Sequence, residues 1–257
     1  MNQIIELTKV SKGYRVVLEK FEMIVSFELV RKYSLKVGMN LDLKTLNQIK
    51  DEQMYHEAYA LGLVKLKRML TKKEVNDYLI DQGFKPAIIK RIIFEYEKKH
   101  YVDDELYAKL YIQSKIASSG PLRLREKLIE KGISFDLIER YLNTYDEDQV
   151  LFPLIEKKIK TYKKESRMQI ILKTRLHFVN KGFHLETIDR ILAKMKIDES
   201  IDDVRILKEI ERLYPRLRER YRGYELKQRL IDRLRSKGYA YQQIQQALNQ
   251  FPIEQND

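Results

Sequence analysis

Apolar residues recur along most of this chain at the three-to-four spacing of helices, grouped around a glycine that repeats. Leu79 stands four residues before Gly83 and Phe84 directly after it, with Ile89, Ile92 and Ile93 six, nine and ten residues past it. The pattern returns as Leu128, Gly132 and Ile133 with Ile138, Tyr141 and Leu142. It returns again as Phe178, Gly182 and Phe183 with Ile188, Ile191 and Leu192, and as Leu234, Gly238 and Tyr239 with Ile244, Ala247 and Leu248. The glycines lie 49, 50 and 56 residues apart, a period that marks an array of like units. The residue four before each glycine falls one turn back on a buried face. The glycine ends that helix, because a left-handed position after a helix costs glycine least. The later apolar positions then form the stripe of a second amphipathic helix, so the unit reads helix, glycine turn, helix.

A third helix per unit is expected upstream. Asp51, Asp104, Asp148 and Asp203 each precede apolar residues at three, four and seven positions on, and aspartate is a favoured N-cap. In the third unit Pro153 would sit too deep in such a helix, which moves its expected start to Leu151 or Phe152. Thr71-Lys-Lys-Glu74 fits a capping box, Gly120-Pro121 puts proline at a first helical position, and Ser166 is the expected cap in the third unit. Pro215 is expected to close the opening helix of the fourth. Residues 1–50 differ. Ile4–Val10 and Tyr14–Glu19 are rich in β-branched residues, and Ser11-Lys12-Gly13 has the make-up of a three-residue hairpin loop. Phe21–Val25 suggests a third strand, Phe27–Tyr33 a helix, Val37–Met39 a turn and Leu43–Ile49 a short helix. The fold class is therefore mainly α. Four tandem three-helix repeats, 51–100, 101–147, 148–197 and 198–257 with a C-terminal tail, follow a small N-terminal α+β cap, 1–50.

Charge changes the picture. The chain carries 50 lysines and arginines against 38 acids, a net charge of +12 that points to a polyanionic partner. The excess is clustered. Lys65, Lys67, Arg68, Lys72 and Lys73 lie in one acid-free run. Lys157, Lys158, Lys160, Lys163, Lys164 and Arg167 share a segment with one acid, and Glu211–Lys237 holds ten basic residues, among them Arg216, Arg218, Arg220 and Arg222. Arg123, Arg125 and Lys127 make a smaller group after the Ser118-Ser119-Gly120-Pro121 loop. Each cluster falls between the first and second helix of its unit. If like units place like junctions along one edge, these cations form a stripe able to follow a phosphate backbone. Tyr162, Tyr214, Tyr221 and Tyr224 lie among them and could stack on bases, although helix packing accounts for most tyrosines of this kind.

Catalytic chemistry is hard to find. His56, His100, His177 and His184 have no metal-ligand spacing, and the nine glycines form no phosphate-cradling loop. His184, just past a glycine turn, suits a local polar role. The chain has no cysteine, so disulfides and thiolate metal sites are excluded. No apolar run reaches bilayer-spanning length, and Met1-Asn-Gln-Ile-Ile-Glu does not have the form of a signal peptide. A cytoplasmic, monomeric protein without metal or cofactor is expected.

Tyr101-Val-Asp-Asp104-Glu-Leu-Tyr107-Ala108, followed by Gly120-Pro121-Leu-Arg123-Leu-Arg125 and Lys131-Gly132-Ile133, resembles the RecX family of regulatory proteins. Thr71-Lys-Lys-Glu74-Val75 with Leu79 and Gly83-Phe84 is similar to that family's preceding repeat. The N-terminal hairpin with Lys36-Val-Gly38-Met39 is similar to the long members from low-GC Gram-positive bacteria. Gln246, where the other three repeats have arginine, departs from the pattern, as does Pro153. The resemblance implies a curved, extended array that binds the RecA–single-stranded-DNA filament in its groove and also binds DNA itself, single-stranded and duplex. It implies a non-enzymatic modulator of homologous recombination and the SOS response, mainly inhibiting RecA ATPase, strand exchange and co-protease activity, with Arg123 and Arg125 at the family's basic positions. A stand-alone helical DNA-binding protein is the alternative, and an enzyme on a helical scaffold a third.

Overall fold

A computed structural model describes residues 2–195, 197 and 200–251. Three antiparallel strands, β1 (Ile4–Val10), β2 (Gly13–Leu18) and β3 (Glu22–Val25), lie in the order β1-β2-β3. Val10 pairs with Gly13, so the hairpin loop is the two residues Ser11 and Lys12, not the expected three. Ser26 caps α1 (Phe27–Lys32) by accepting the Leu29 N–H. Ile4, Val16, Leu18, Val25, Leu29, Leu35 and Leu41 form the cap's core with Leu46 and Ile49 of α2 (Leu43–Lys65).

That helix corrects two expectations. The short helix at 43–49 and the helix expected to open at Asp51 are one continuous element, capped by the Asp42 carboxylate on the Thr45 N–H. Asp51 lies mid-helix and pairs with Lys85 at 3.3 Å. The two halves of α2 bury into different cores, and this makes one long helix favourable where local signals suggested two.

Helix α2 packs with α3 (Lys72–Asp81) and α4 (Pro86–Lys98) around Ala58, Val75, Leu79, Ile89, Ile92 and Tyr96. Next come α5 (Asp104–Lys115), α6 (Pro121–Glu130) and α7 (Phe135–Leu142). Then α8 (Glu147–Ile159), α9 (Arg167–Val179) and α10 (Leu185–Lys194) enclose Leu151, Ile155, Phe178, Phe183, Ile188 and Ile191. The final triplet, α11 (Ser200–Arg218), α12 (Gly223–Ser236) and α13 (Tyr241–Gln250), buries Ile206, Ile210, Leu230, Leu234 and Ile244. Residue 198, where the fourth repeat is expected to open, and the tail 252–257 lie outside the described residues. The chain forms two compact units, Met1–Lys109 with Ile129–Ser134, and Leu110–Leu128 with Phe135–Asp257.

The other expected aspartate caps are also corrected. Asp103, not Asp104, accepts the Leu106 N–H at the start of α5. Asp146 caps α8, and Asp148 instead binds Arg190. Asp203 sits inside the first turn of α11. Helix α8 begins before Pro153 and α11 continues past Pro215, so both prolines are internal. An internal proline costs about 3 kcal/mol or more, and the full burial of Leu151 and Ile155 in α8 is of a size to offset it.

The four repeat glycines end their helices as the pattern requires, with φ between +80° and +87°. The Phe84, Phe183 and Tyr239 N–H groups each donate to the carbonyl five residues back, on Leu79, Phe178 and Leu234. This is the backbone form of the apolar pair flanking each glycine. Three of these turns are seats for another helix. Thr71, at the start of α3, donates its hydroxyl to the Lys131 carbonyl at 2.7 Å, and Lys73 donates to the Glu130 carbonyl at 3.0 Å. At the start of α6 the Gly120 and Leu122 N–H groups donate to the Lys181 and Gly182 carbonyls, at 2.8 and 3.0 Å. Ser166, capping α9, donates to the Lys237 carbonyl at 2.5 Å. Three of the four middle helices, α3, α6 and α9, thus set their positive start against the orphan carbonyls that end the next middle helix.

The seats carry their own electrostatics. Glu74 closes the capping box on Thr71 and receives Lys131 at 2.6 Å. Burial pushes the Glu74 carboxyl up, but the Lys131 ammonium and the Thr71 N–H outweigh it and hold the group below its usual range. Asp104 accepts the Lys72 N–H at 2.9 Å and Asp202 the Arg167 N–H at 2.8 Å, so each serves the first residue of a helix in the preceding triplet. Burial pushes both carboxyls upward. In α6 the first residue is Pro121, which has no N–H to serve. Glu147, four residues before buried Leu151 as Asp104 is before Ala108, turns instead to the His184 N–H, its ring and the Thr187 hydroxyl.

Two outcomes follow for stability. Gly83→Ala pays only the left-handed backbone cost of about 1–2 kcal/mol, because a Cβ there meets nothing within 4 Å. Gly182→Ala also drives a Cβ to 2.6 Å from the Arg123 backbone nitrogen, so urea denaturation should show the larger loss for that variant. Glu74→Gln should destabilise the protein at neutral pH. A depressed carboxyl contributes stability above its unfolded pKa of about 4.3 and loses it as pH falls through the lower folded value, so melts of wild type and variant should draw together as pH is lowered from about 4.3 through that depressed value.

Candidate nucleic-acid interface

The basic clusters lie where middle helices begin, and the seats engage some of their members. Lys72 bonds Glu97 at 2.8 Å, and Lys73 spans the Glu130 carbonyl and Asp77. Arg123 reaches the Asn180 carbonyl at 3.3 Å. Arg125 is half-buried in a two-point bond to Glu139, at 2.6 and 3.1 Å, which holds that carboxyl below its ordinary range. Lys160 pairs with Glu156 at 2.8 Å. Lys65 lies over the Tyr78 ring and Lys158 over Tyr162. Lys127 and Arg167 are both partly buried.

Other candidates face solvent. Lys67, Arg68, Lys157, Lys163, Lys164, Arg216, Arg218, Arg220 and Arg222 are exposed, and none has a carboxylate at ion-pair distance among the described residues. Arg216, Arg218, Arg220 and Arg222 crowd the end of α11 and the loop into α12, where the α11 carbonyls favour positive charge. Of the four interleaved tyrosines, Tyr214 is buried in the last core, Tyr221 packs against that core and Tyr162 is half-buried. Tyr224, 79% exposed, is the one left with an open ring.

Within the second compact unit two grooves form at the seats. One, of about 430 Å³, runs beside Gly182 and includes Leu122, Arg123, Lys127 and Val179. The other, of about 550 Å³, brings Lys163 and Lys164 together with Lys173, Arg205, Lys208, Arg212 and Lys237. Lys173, Arg205 and Lys208 lie outside every cluster read from the sequence, while Arg212 and Lys237 belong to the Glu211–Lys237 cluster without having been singled out. Arg205, Lys208 and Arg212 share a helical face by their three-and-four spacing, which is the signal that could have found them. The groups they meet come from distant parts of the chain. Among the described residues no cluster of three or more His, Asp or Glu side chains could hold a metal, and no helix is long and apolar enough to cross a membrane.

Comparison with known proteins supplies the family. A family model described as RecX, second three-helix domain, matches residues 103–142. Regulatory protein RecX of Streptococcus sanguinis (strain SK36) is 28% identical over 259 residues, spanning 96% of this chain and 99% of its own. That of Oceanobacillus iheyensis is 30% identical over 227 residues, spanning 85% and 84%. A crystal structure of regulatory protein RecX superposes with a TM-score of 0.59 at 20% identity, over 74% of this chain and 98% of its own. RecX from Lactobacillus salivarius gives 0.52 at 24%, over 56% and 98%, and both share the fold. With a relative 30% identical along most of both chains and the glycine-anchored helical triplets in place, the chain belongs to the RecX family of regulatory proteins, a family of regulators and not of enzymes.

Proposed function

We propose that this protein binds the RecA–single-stranded-DNA filament in its groove and restrains it, hindering growth or promoting disassembly and so lowering RecA ATPase, strand exchange and co-protease activity. The repeats 51–100, 101–147, 148–197 and 198–257, carried by the cap 1–50, act as successive points of grip, and the protein works as a cytoplasmic monomer. Family membership supports the partner. The observation that carries the mode of binding is the placement of uncompensated cations beside the helix starts, densest at Arg216, Arg218, Arg220 and Arg222. Lysines and arginines without carboxylate partners are free to replace counterions on phosphates, and that exchange is the source of salt-dependent affinity. Arg125, by contrast, serves the α6–α7 pairing through Glu139 and contributes to the interface by positioning that helix.

Replacing Arg216, Arg220 and Arg222 together with glutamine removes three exposed charges and, among the described residues, no ion pair. Circular dichroism should show unchanged helicity. The midpoint for inhibiting DNA-stimulated RecA ATPase should rise, and the salt slope of DNA binding should fall by about three. Unchanged inhibition across salt would remove these cations from the mechanism. Tight duplex binding with no effect on RecA would favour the stand-alone DNA-binding alternative.

A further inference from the structure

The groove beside Gly238 holds more positive charge than packing explains. Seven lysines and arginines line it against two carboxylates. Both carboxylates are already engaged: Glu209 by Lys237 at 2.5 Å and by Arg212, and Glu165 by Lys173 at 3.0 Å. Arg205 is held in place by the backbone, donating to the Glu165 and Tyr162 carbonyls. Lys163, Lys164 and Lys208 remain, all exposed and without a carboxylate at ion-pair distance among the described residues. Converging like charges repel one another, and nothing else in the groove offsets that repulsion.

The related groove beside Gly182 shows that this excess is not a general property of the repeat. There Arg123 and Lys127 stand against Glu126, close to charge balance. The groove at Gly238 is therefore specialised. Its volume, about 550 Å³, lies within the usual range of small-ligand sites. Lysines act as point charges toward phosphate oxygens, and the Gln169 amide adds a neutral donor.

We propose that this groove is an oligophosphate-binding site, taking a run of linked phosphates at Lys163, Lys164 and Lys208 with Arg205 behind them. The phosphates come either from consecutive phosphodiesters of a single-stranded nucleic acid or from a free oligophosphate. The first source rests on the filament reading above and the second does not.

Isothermal titration calorimetry of the full chain with sodium tripolyphosphate tests the site. Wild type should bind one equivalent saturably. Lys163→Gln with Lys208→Gln should weaken binding about tenfold or more, and Lys90→Gln, an exposed lysine of the other compact unit, should not. Both groove lysines are exposed, so circular dichroism should show the variant folded. Competition by a single-stranded oligonucleotide identifies the nucleic-acid backbone as the source. Tripolyphosphate binding without competition identifies the free anion, and either result upholds the site. No saturable binding to wild type, or equal weakening by Lys90→Gln, overturns it. Failure of the filament reading would show in the RecA ATPase assay alone and leave the calorimetry unchanged.

Discussion

The start of one helix resting on the end of another is the contact on which the rest of this structure depends. α3 begins against the close of α6, α6 against the close of α9, and α9 against the close of α12. A helix end leaves carbonyls without donors, and a helix start leaves N–H groups without acceptors. At α6 backbone N–H groups meet those carbonyls directly, while at α3 and α9 the Thr71 and Ser166 hydroxyls supply the donor, so carbonyls that packing would otherwise leave unpaired are satisfied. The approach is close enough that a side chain on the receiving turn would collide with Lys73, Arg123 or Met168. The glycine therefore meets two demands at once, a left-handed backbone and an empty face.

The same junction is solved in two chemical ways. Where a middle helix opens on lysine or arginine, its first N–H is free and a buried aspartate from the following triplet takes it. Where it opens on Pro121 that N–H does not exist, and Glu147, at the corresponding position, bonds within its own triplet. A backbone N–H bond offsets the cost of burial at each aspartate, and at Asp104 the Lys72 ammonium, 3.7 Å away, adds to that offset. The aspartates are structural groups even though their charge and burial give them the look of a site.

How much of this could be read from the residues follows the range of the interactions. The glycine turns, the Thr71 capping box and the Ser166 cap are local, and the pattern of a few neighbouring residues decides them. The role of Asp104 is not local. Its sequence setting is that of an N-cap, and it does bind a first-turn N–H, but of α3, more than thirty positions earlier. Pro153 and Pro215 mislead for the complementary reason, since a local rule was outweighed by burial of Leu151, Ile155 and Tyr214. Among the cations, Arg125 matched a motif while its bond to Glu139 stayed hidden. The Gly238 groove was legible only in part, because Lys163, Lys208 and Lys237 meet through tertiary packing.

A seat made of unlike halves gives the chain a direction. Every interior triplet offers a helix start one way and a glycine turn the other, while at the extremes each half stands alone. Among the described residues nothing lies against the face of Gly83 that the other repeat glycines present to a neighbour, and α12 opens at Arg222 without a side-chain cap. Triplets can therefore be gained or lost at the far end without disturbing the joints that remain, whereas losing one from the middle would require two strangers to fit.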